Sequence, residues 1–167
     1  MKTILSRLKT LVQHEMVEGG TLSYVKSVEI VHPELLEVHS NAVIPKIVFT
    51  PSSTSESWVA SQKKEATNTV LAYLVLRYAQ RETSIMGDAT RAGGHGKGIM
   101  DFVSDFLSVV RGHRLSVDGT IYLDKPLDIS TINYIREDLG ENAHLLVAEI
   151  TMQCTYQFLQ TDLPGNI

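Results

Sequence analysis

Residues 144–158, HLLVAEITMQCTYQF, alternate apolar and polar side chains over most of their length. Leu146, Ala148, Ile150, Met152, Cys154, Tyr156 and Phe158 fall on one side, and Glu149, Thr151, Gln153, Thr155 and Gln157 on the other. A period of two is the signature of a strand with one face buried and one face wet, the usual condition of an antiparallel sheet. The strand is unusually long, and it places Cys154 among apolar neighbours, where a free cysteine behaves as a small hydrophobe.

Working outward, residues 128–136, DISTINYIR, also alternate and read as a partner strand, joined to 144–158 by the turn-rich EDLGEN. Residues 67–80, TNTVLAYLVLRYAQ, are rich in β-branched and aromatic residues and read as a long central strand, although a helix is compatible with their Leu, Ala and Arg content. Residues 43–49, VIPKIVF, give a shorter strand in which Pro45 belongs at the start, a bulge or an edge. Residues 22–32 give another, alternating Val28, Ile30 and His32 against Ser27, Glu29 and Val31, and stopped by Pro33. Between them, PSSTSESWVASQKKEAT (51–67) is polar and long, either an extended loop or the exposed arm of a hairpin, with Trp58 standing alone in it.

Two segments have helical periodicity instead. Ile4, Leu8, Leu11, Val12 and Met16 predict an amphipathic helix over 3–18, stopped by Gly19-Gly20. Ile99, Phe102, Val103, Phe106, Leu107 and Val110 predict a helix over 99–111, ended by Gly112. Because strands and helices are not regularly interleaved, a parallel βαβ sheet is not expected. The expected fold is α+β: a mainly antiparallel β-sheet with two α-helices packed on one face. The 167 residues form one domain, 1–167, with extended loops near 51–65 and 84–98.

Composition bounds the function classes. The net charge of −4 argues mildly against a nucleic-acid binder, whose affinity rests on phosphate contacts. A single cysteine forbids an intrachain disulfide and fits a reducing compartment. MKTILSRLKTLVQHEM does not read as a secretory signal, since Arg7 and Lys9 interrupt its apolar residues. The longest strongly apolar run, Val70–Leu76, is far shorter than a membrane span.

The stretch RAGGHGKG (91–98), ahead of the second helix, raises the question of phosphate binding, because helix N-termini attract anions. A Walker A loop would need Gly where Arg91 stands and Ser or Thr where Gly98 stands. A dinucleotide fingerprint starting at Gly94 would need glycine where Ile99 stands. The stretch therefore reads as a connector without apolar anchors. His14, His32, His39, His95, His113 and His144 show no metal-ligand spacing. No nucleophile elbow is present, and Asp101 and Asp105 read as a solvated helix face rather than an acid–base pair. No catalytic, cofactor or metal residues are assigned, and no cofactor is expected. Lys63 and Lys64 in the polar arm, and Arg91 and Lys97 in the glycine stretch, form two basic tips whose ordinary reading is loop solvation.

The order of elements resembles the tail terminator (tail completion) proteins of long-tailed bacteriophages. It runs ILSRLKTLVQHE, VEIVH, IPKIVFTP, TNTVLAYLVLRYAQRE, IMDFVSDFLSVVRGHRL, DISTINYIRED and LLVAEITMQCTYQF, nearly the whole chain. The resemblance implies a structural virion protein and no enzyme. It implies a ring, typically a hexamer, at the head-proximal end of the tail tube, where the ring stops tube polymerisation and joins the tail to the filled head. The implied partners are other copies of the chain, the tail tube protein and a head-completion or connector protein. DNA would only pass through the lumen, and no membrane is involved. The implied location is the tail or neck of the virion, after assembly in the host cytoplasm. Trp58, Lys63, Lys64, Arg91, His95 and Lys97 are then candidate partner or lumen contacts. Two alternatives stay open: another neck, head-completion or minor tail component, and a small cytoplasmic enzyme whose site is assembled from dispersed residues.

Overall fold

The computed structural model describes residues 1–35, 44–78, 85, 87, 96–116, 121–138 and 144–159. Helix α1 (Lys2–His14) is followed by strand β1 (Ser27–Ile30), a single 3-10 turn (Pro33–Leu35), strands β2 (Lys46–Ala60) and β3 (Lys63–Tyr78), helix α2 (Ile99–Val110), and strands β4 (Asp128–Asp138) and β5 (His144–Leu159). The strands form one five-stranded sheet in the order β1-β2-β3-β5-β4. Every pair is antiparallel except β1 with β2, which run parallel from Ser27↔Lys46 to Ile30↔Phe49. The expected α+β architecture, a mainly antiparallel sheet with two helices on one face, is the one observed.

The alternation of β5 places its side chains as expected. Leu146, Ala148, Ile150, Met152 and Cys154 are buried on the helix-covered face, and Tyr156 packs against the same core. From α1, Ile4, Leu5, Leu8 and Val12 meet this face, and from α2, Ile99, Phe102, Val103, Phe106 and Val110. Phe106 stacks on Phe49 of β2 with ring centres 6.2 Å apart, and Phe102 meets Tyr24 edge to face at 5.5 Å. Arg7 anchors α1 to the segment after α2: its guanidinium donates to the Leu115 carbonyl at 2.9 Å and lies 4.7 Å from the centre of the Tyr122 ring.

The opposite face holds a smaller apolar cluster of Val48, Tyr73, Val75, Leu145 and Val147. This explains the one break in the alternation of β5, since Leu145 and Val147 occupy the face where Glu149 and Thr151 follow. Tyr73 shares this face. Burial, and then its hydrogen bond to the Glu149 carboxylate, push its hydroxyl pKa up to about 12.

Five boundaries of α1, β1 and β2 differ from expectation by more than a residue. Helix α1 stops at His14 rather than 18, and residues 15–25 turn back so that Leu22 and Val25 reach the core. The strand expected over 22–32 is reduced to Ser27–Ile30, because only that stretch finds a partner strand. The strand expected over 43–49 begins one residue after Pro45, at Lys46, and does not end at 49. It continues to Ala60, so of the two readings of the polar stretch after Pro51, extended loop or exposed hairpin arm, the structure has the hairpin arm, and the extended loop near 51–65 is not formed. Pro51 sits just beyond the last β1 pair, on what has become an outer strand, where a missing donor is tolerated.

Phe106→Ala removes a fully buried ring between α2 and the sheet. It should destabilise the domain by about 3–5 kcal/mol in urea unfolding. Val17→Ala, at an exposed residue after α1, should move stability by no more than about 0.5 kcal/mol.

Candidate functional site

The hairpin of β2 and β3 carries the most conspicuous exposed surface. Register runs from Ser53↔Thr69 to Ala60↔Lys63, with irregularities between Pro51 and Ser53 and between Trp58 and Ala60. Residues 52–60 are exposed throughout. Ser and Thr suit such a strand because they accept the extended backbone without needing burial. The chain reverses at residues 61–62, where Gln62 takes a positive φ of 64°. The arm does not stand alone, since β5 pairs with β3 to the tip, ending at Lys63↔Leu159.

Trp58, Lys64 and Phe158 lie side by side in one row across the three strands. The Lys64 ammonium sits 4.9 Å from the centre of the Trp58 ring and 3.4 Å from the Glu56 carboxylate. It thus props the indole in place through a cation–π contact while the ring stays 59% exposed. Phe158 stacks at 5.9 Å on Tyr156, which stacks at 5.8 Å on Tyr122. This aromatic row connects the tip to the main core. Midway along and close to its tip, the arm is tied to the segment before β4. Asp124 and Lys125 donate backbone N–H groups to the Thr155 carbonyl at 3.1 and 3.5 Å, and the Lys125 ammonium bonds Glu65 at 2.9 Å. Lys125, followed by Gln157, holds the Glu65 carboxyl below the usual carboxylate range.

Of the residues singled out from sequence, Trp58, Lys63 and Lys64 come together at the arm tip. Arg91 and His95 lie outside the described residues. Lys97 is elsewhere and is not a basic tip. Its ammonium is ion-paired with Asp105, which also accepts the Tyr24 hydroxyl at 2.9 Å, and it lies 5.0 Å from the centre of the Tyr24 ring.

Within 91–98, residues 91–95 lie outside the described residues, and Gly98 finds its explanation at the same place. Gly98 is the N-cap of α2, and its N–H donates to the Asp101 carboxylate at 3.0 Å. Asp101 thus occupies the back-reaching position of a capping box, where a negative charge also suits the helix dipole. A Cβ on Gly98 would overlap the Ile85 carbonyl and the Gly87 nitrogen. Gly87, with φ of 81°, would bring a Cβ within 2.9 Å of the Gly98 nitrogen. Two backbone segments therefore cross in contact at the start of α2, and only glycine permits it. The connector reading is corrected at its C-terminal end, 96–98, which is a packed junction; 91–95 lie outside the described residues. The solvated-face reading of Asp101 and Asp105 is corrected too, because both carboxylates hold that junction together.

A second surface was not singled out from sequence. Ile85, Ile99, Met100, Tyr134, Ile135, Arg136, Leu146 and Val147 line a groove of about 340 Å³ between the first turn of α2 and the adjoining ends of β4 and β5. Ile85, Met100, Tyr134 and Ile135 are each more than 40% exposed. The available signal was Ile135, an apolar residue on the face of β4 opposite Ile132 and Tyr134, which an ordinary edge strand does not need; a bulge between Ile129 and Thr131 puts Ile129 on the same face as Ile132.

Cys154 is fully buried, and burial pushes its thiol up to about 12. Among the described residues, no three of His, Cys, Asp and Glu are placed to hold a metal ion. No helix among them is long and apolar enough to cross a membrane.

Gly98→Ala should destabilise the domain by about 1–3 kcal/mol through forced separation of the two crossing segments, measurable by urea unfolding. Cys154 should react with a thiol reagent at neutral pH only at the rate of unfolding, since its folded-state thiol stays protonated and covered. Fast labelling of the folded protein would contradict this burial.

No protein-family model matches this chain, and no curated protein matches it.

Proposed function

We propose that this chain is a structural virion subunit with the role of a tail terminator. In this reading it assembles as a ring, as a hexamer, at the head-proximal end of a phage tail tube. It ends tube growth there and presents the surface that receives the filled head, through a head-completion or connector protein. DNA passes through the lumen without being a specific ligand, and the protein acts in the tail or neck of the virion rather than as an enzyme.

The observation that carries this reading is the supported arm. A hairpin whose outer strand is exposed from residue 52 to residue 60 buries little of its own surface. It is nonetheless held straight by β5 and by the Lys125–Glu65 tie, and it ends in an exposed indole. An ordered, apolar-tipped projection of this kind is expected where a surface meets a partner. Among the described residues, no strand pairs with β2 beyond Phe49 on its outer side, and none with the outer side of β4. Two different free edges on one chain suit the head-to-tail contacts from which closed rings are built. The α+β element order is the one that the resemblance to tail terminators implies.

Electron microscopy of the purified protein, alone and added to tail tubes lacking their own terminator, tests the proposal. The expected result is a ring at one end of each tube and tubes of fixed length. Tubes that stay bare and lengthen normally in the presence of folded protein would overturn it.

A further inference from the structure

We infer that the arm tip of one copy, led by Trp58, seats in the apolar groove beside β4 of the next copy. This rests on the assembly reading above and names the contact that would carry it. Trp58 is 59% exposed, with Val59 (51%) beside it and Leu159 (50%) across the hairpin at the end of β5. Lys64 covers part of the indole, and more than half of the residue stays open to solvent. The groove has the opposite character: concave, apolar along Ile99, Met100, Tyr134, Ile135 and Leu146, and open to solvent. Its volume of about 340 Å³ is in the range that accepts a compact ligand-sized group.

The sheet itself identifies the occupant as a second copy. Trp58 lies level with Phe158 of β5 through Lys64, whereas the groove is lined by Leu146 and Val147 near the other end of the same strand. Twelve residues of extended chain separate Leu146 from Phe158, which spans roughly 40 Å. The arm is locked to β5 along that length, so a chain cannot fill its own groove. Two unlike, complementary surfaces at opposite ends of one rigid sheet define a head-to-tail contact, and such contacts close into rings or run on as filaments.

A mixing experiment tests the contact. Trp58→Ala removes the anchor, and Ile135→Glu places a charge in the groove wall. Both positions are exposed, and circular dichroism with thermal melting checks that each variant folds. Met100→Glu serves as a second groove variant should Ile135→Glu fail that check. Sedimentation should show the wild type assembling with concentration and each variant doing so at least about thirtyfold more weakly, as expected when a central tryptophan anchor is lost. Mixed one to one, the two variants still hold one intact tip and one intact groove between them. The mixture should give a heterodimer and nothing larger. Assembly of the Trp58→Ala variant as strong as that of the wild type would overturn the contact and leave the ring reading standing. Loss of assembly in both variants without heterodimer formation would overturn it too. A wild type that stays monomeric at every concentration would also overturn it, while the tail-tube experiment above judges the ring reading separately.

Discussion

The antiparallel ladder between β3 and β5 is the constraint on which the rest of the molecule depends. It is continuous from Tyr78↔His144 to Lys63↔Leu159. At one end the two strands supply both faces of a core, with the helices over Leu74, Ala148 and Ile150 and the smaller cluster around Tyr73, Val75 and Val147. At the other end the same strands leave the core and carry β2 outward as an arm. A two-stranded hairpin by itself is only marginally stable in water. The third strand and the stack of Tyr122, Tyr156 and Phe158 are what keep this one extended.

The same ladder sets what the surface can do. Because arm and groove are built on one continuous strand, their separation is fixed by backbone geometry rather than by a hinge. The arm of a chain therefore cannot reach its own groove, and the proposed contact between them is one between two copies. The chemistry of each surface is simple: an indole steadied by an ammonium group at one end, and a shallow apolar groove under the first turn of α2 at the other. Gly98, at the start of α2, belongs to the second of these. The close approach of Gly98 to Ile85 and Gly87 brings Ile85 to the groove beside Ile99 and Met100. The last glycine of a sequence that resembles a phosphate cradle at first sight is thus a packing residue.

Much of the fold was legible in the sequence wherever one face of an element is buried and the other is wet. The period of two in β5 and the stripe of Ile99, Phe102, Val103, Phe106 and Val110 in α2 predicted their states and their buried faces within a residue of the observed bounds. Legibility failed where burial did not impose a period. Residues 51–60 carry Ser, Thr and Glu with no apolar alternation, so nothing local distinguishes a strand from a loop. Pairing with β3, itself anchored to β5, decides it. Residues 22–26 have strand-like composition yet turn, because β1 has only the first four residues of β2 to pair with. Of the candidate contact residues, Trp58 was found by its isolation in a polar run. Tyr134 and Ile135 were not found, since an apolar residue on a strand looks the same whether its neighbour covers it or leaves it open.

By itself, then, the sequence determined the class of the fold, the strand character of 144–158 and the helix at 99–110, because hydrophobic periodicity is a local property that each segment carries with it. Tertiary structure alone decided that the polar stretch after Pro51 is an arm, that Gly87 and Gly98 pack against each other, that Lys97 is bound to Asp105, and that the groove and Trp58 lie at opposite ends of one sheet. Each of these depends on which distant residues are brought together, and no local pattern along the chain records that.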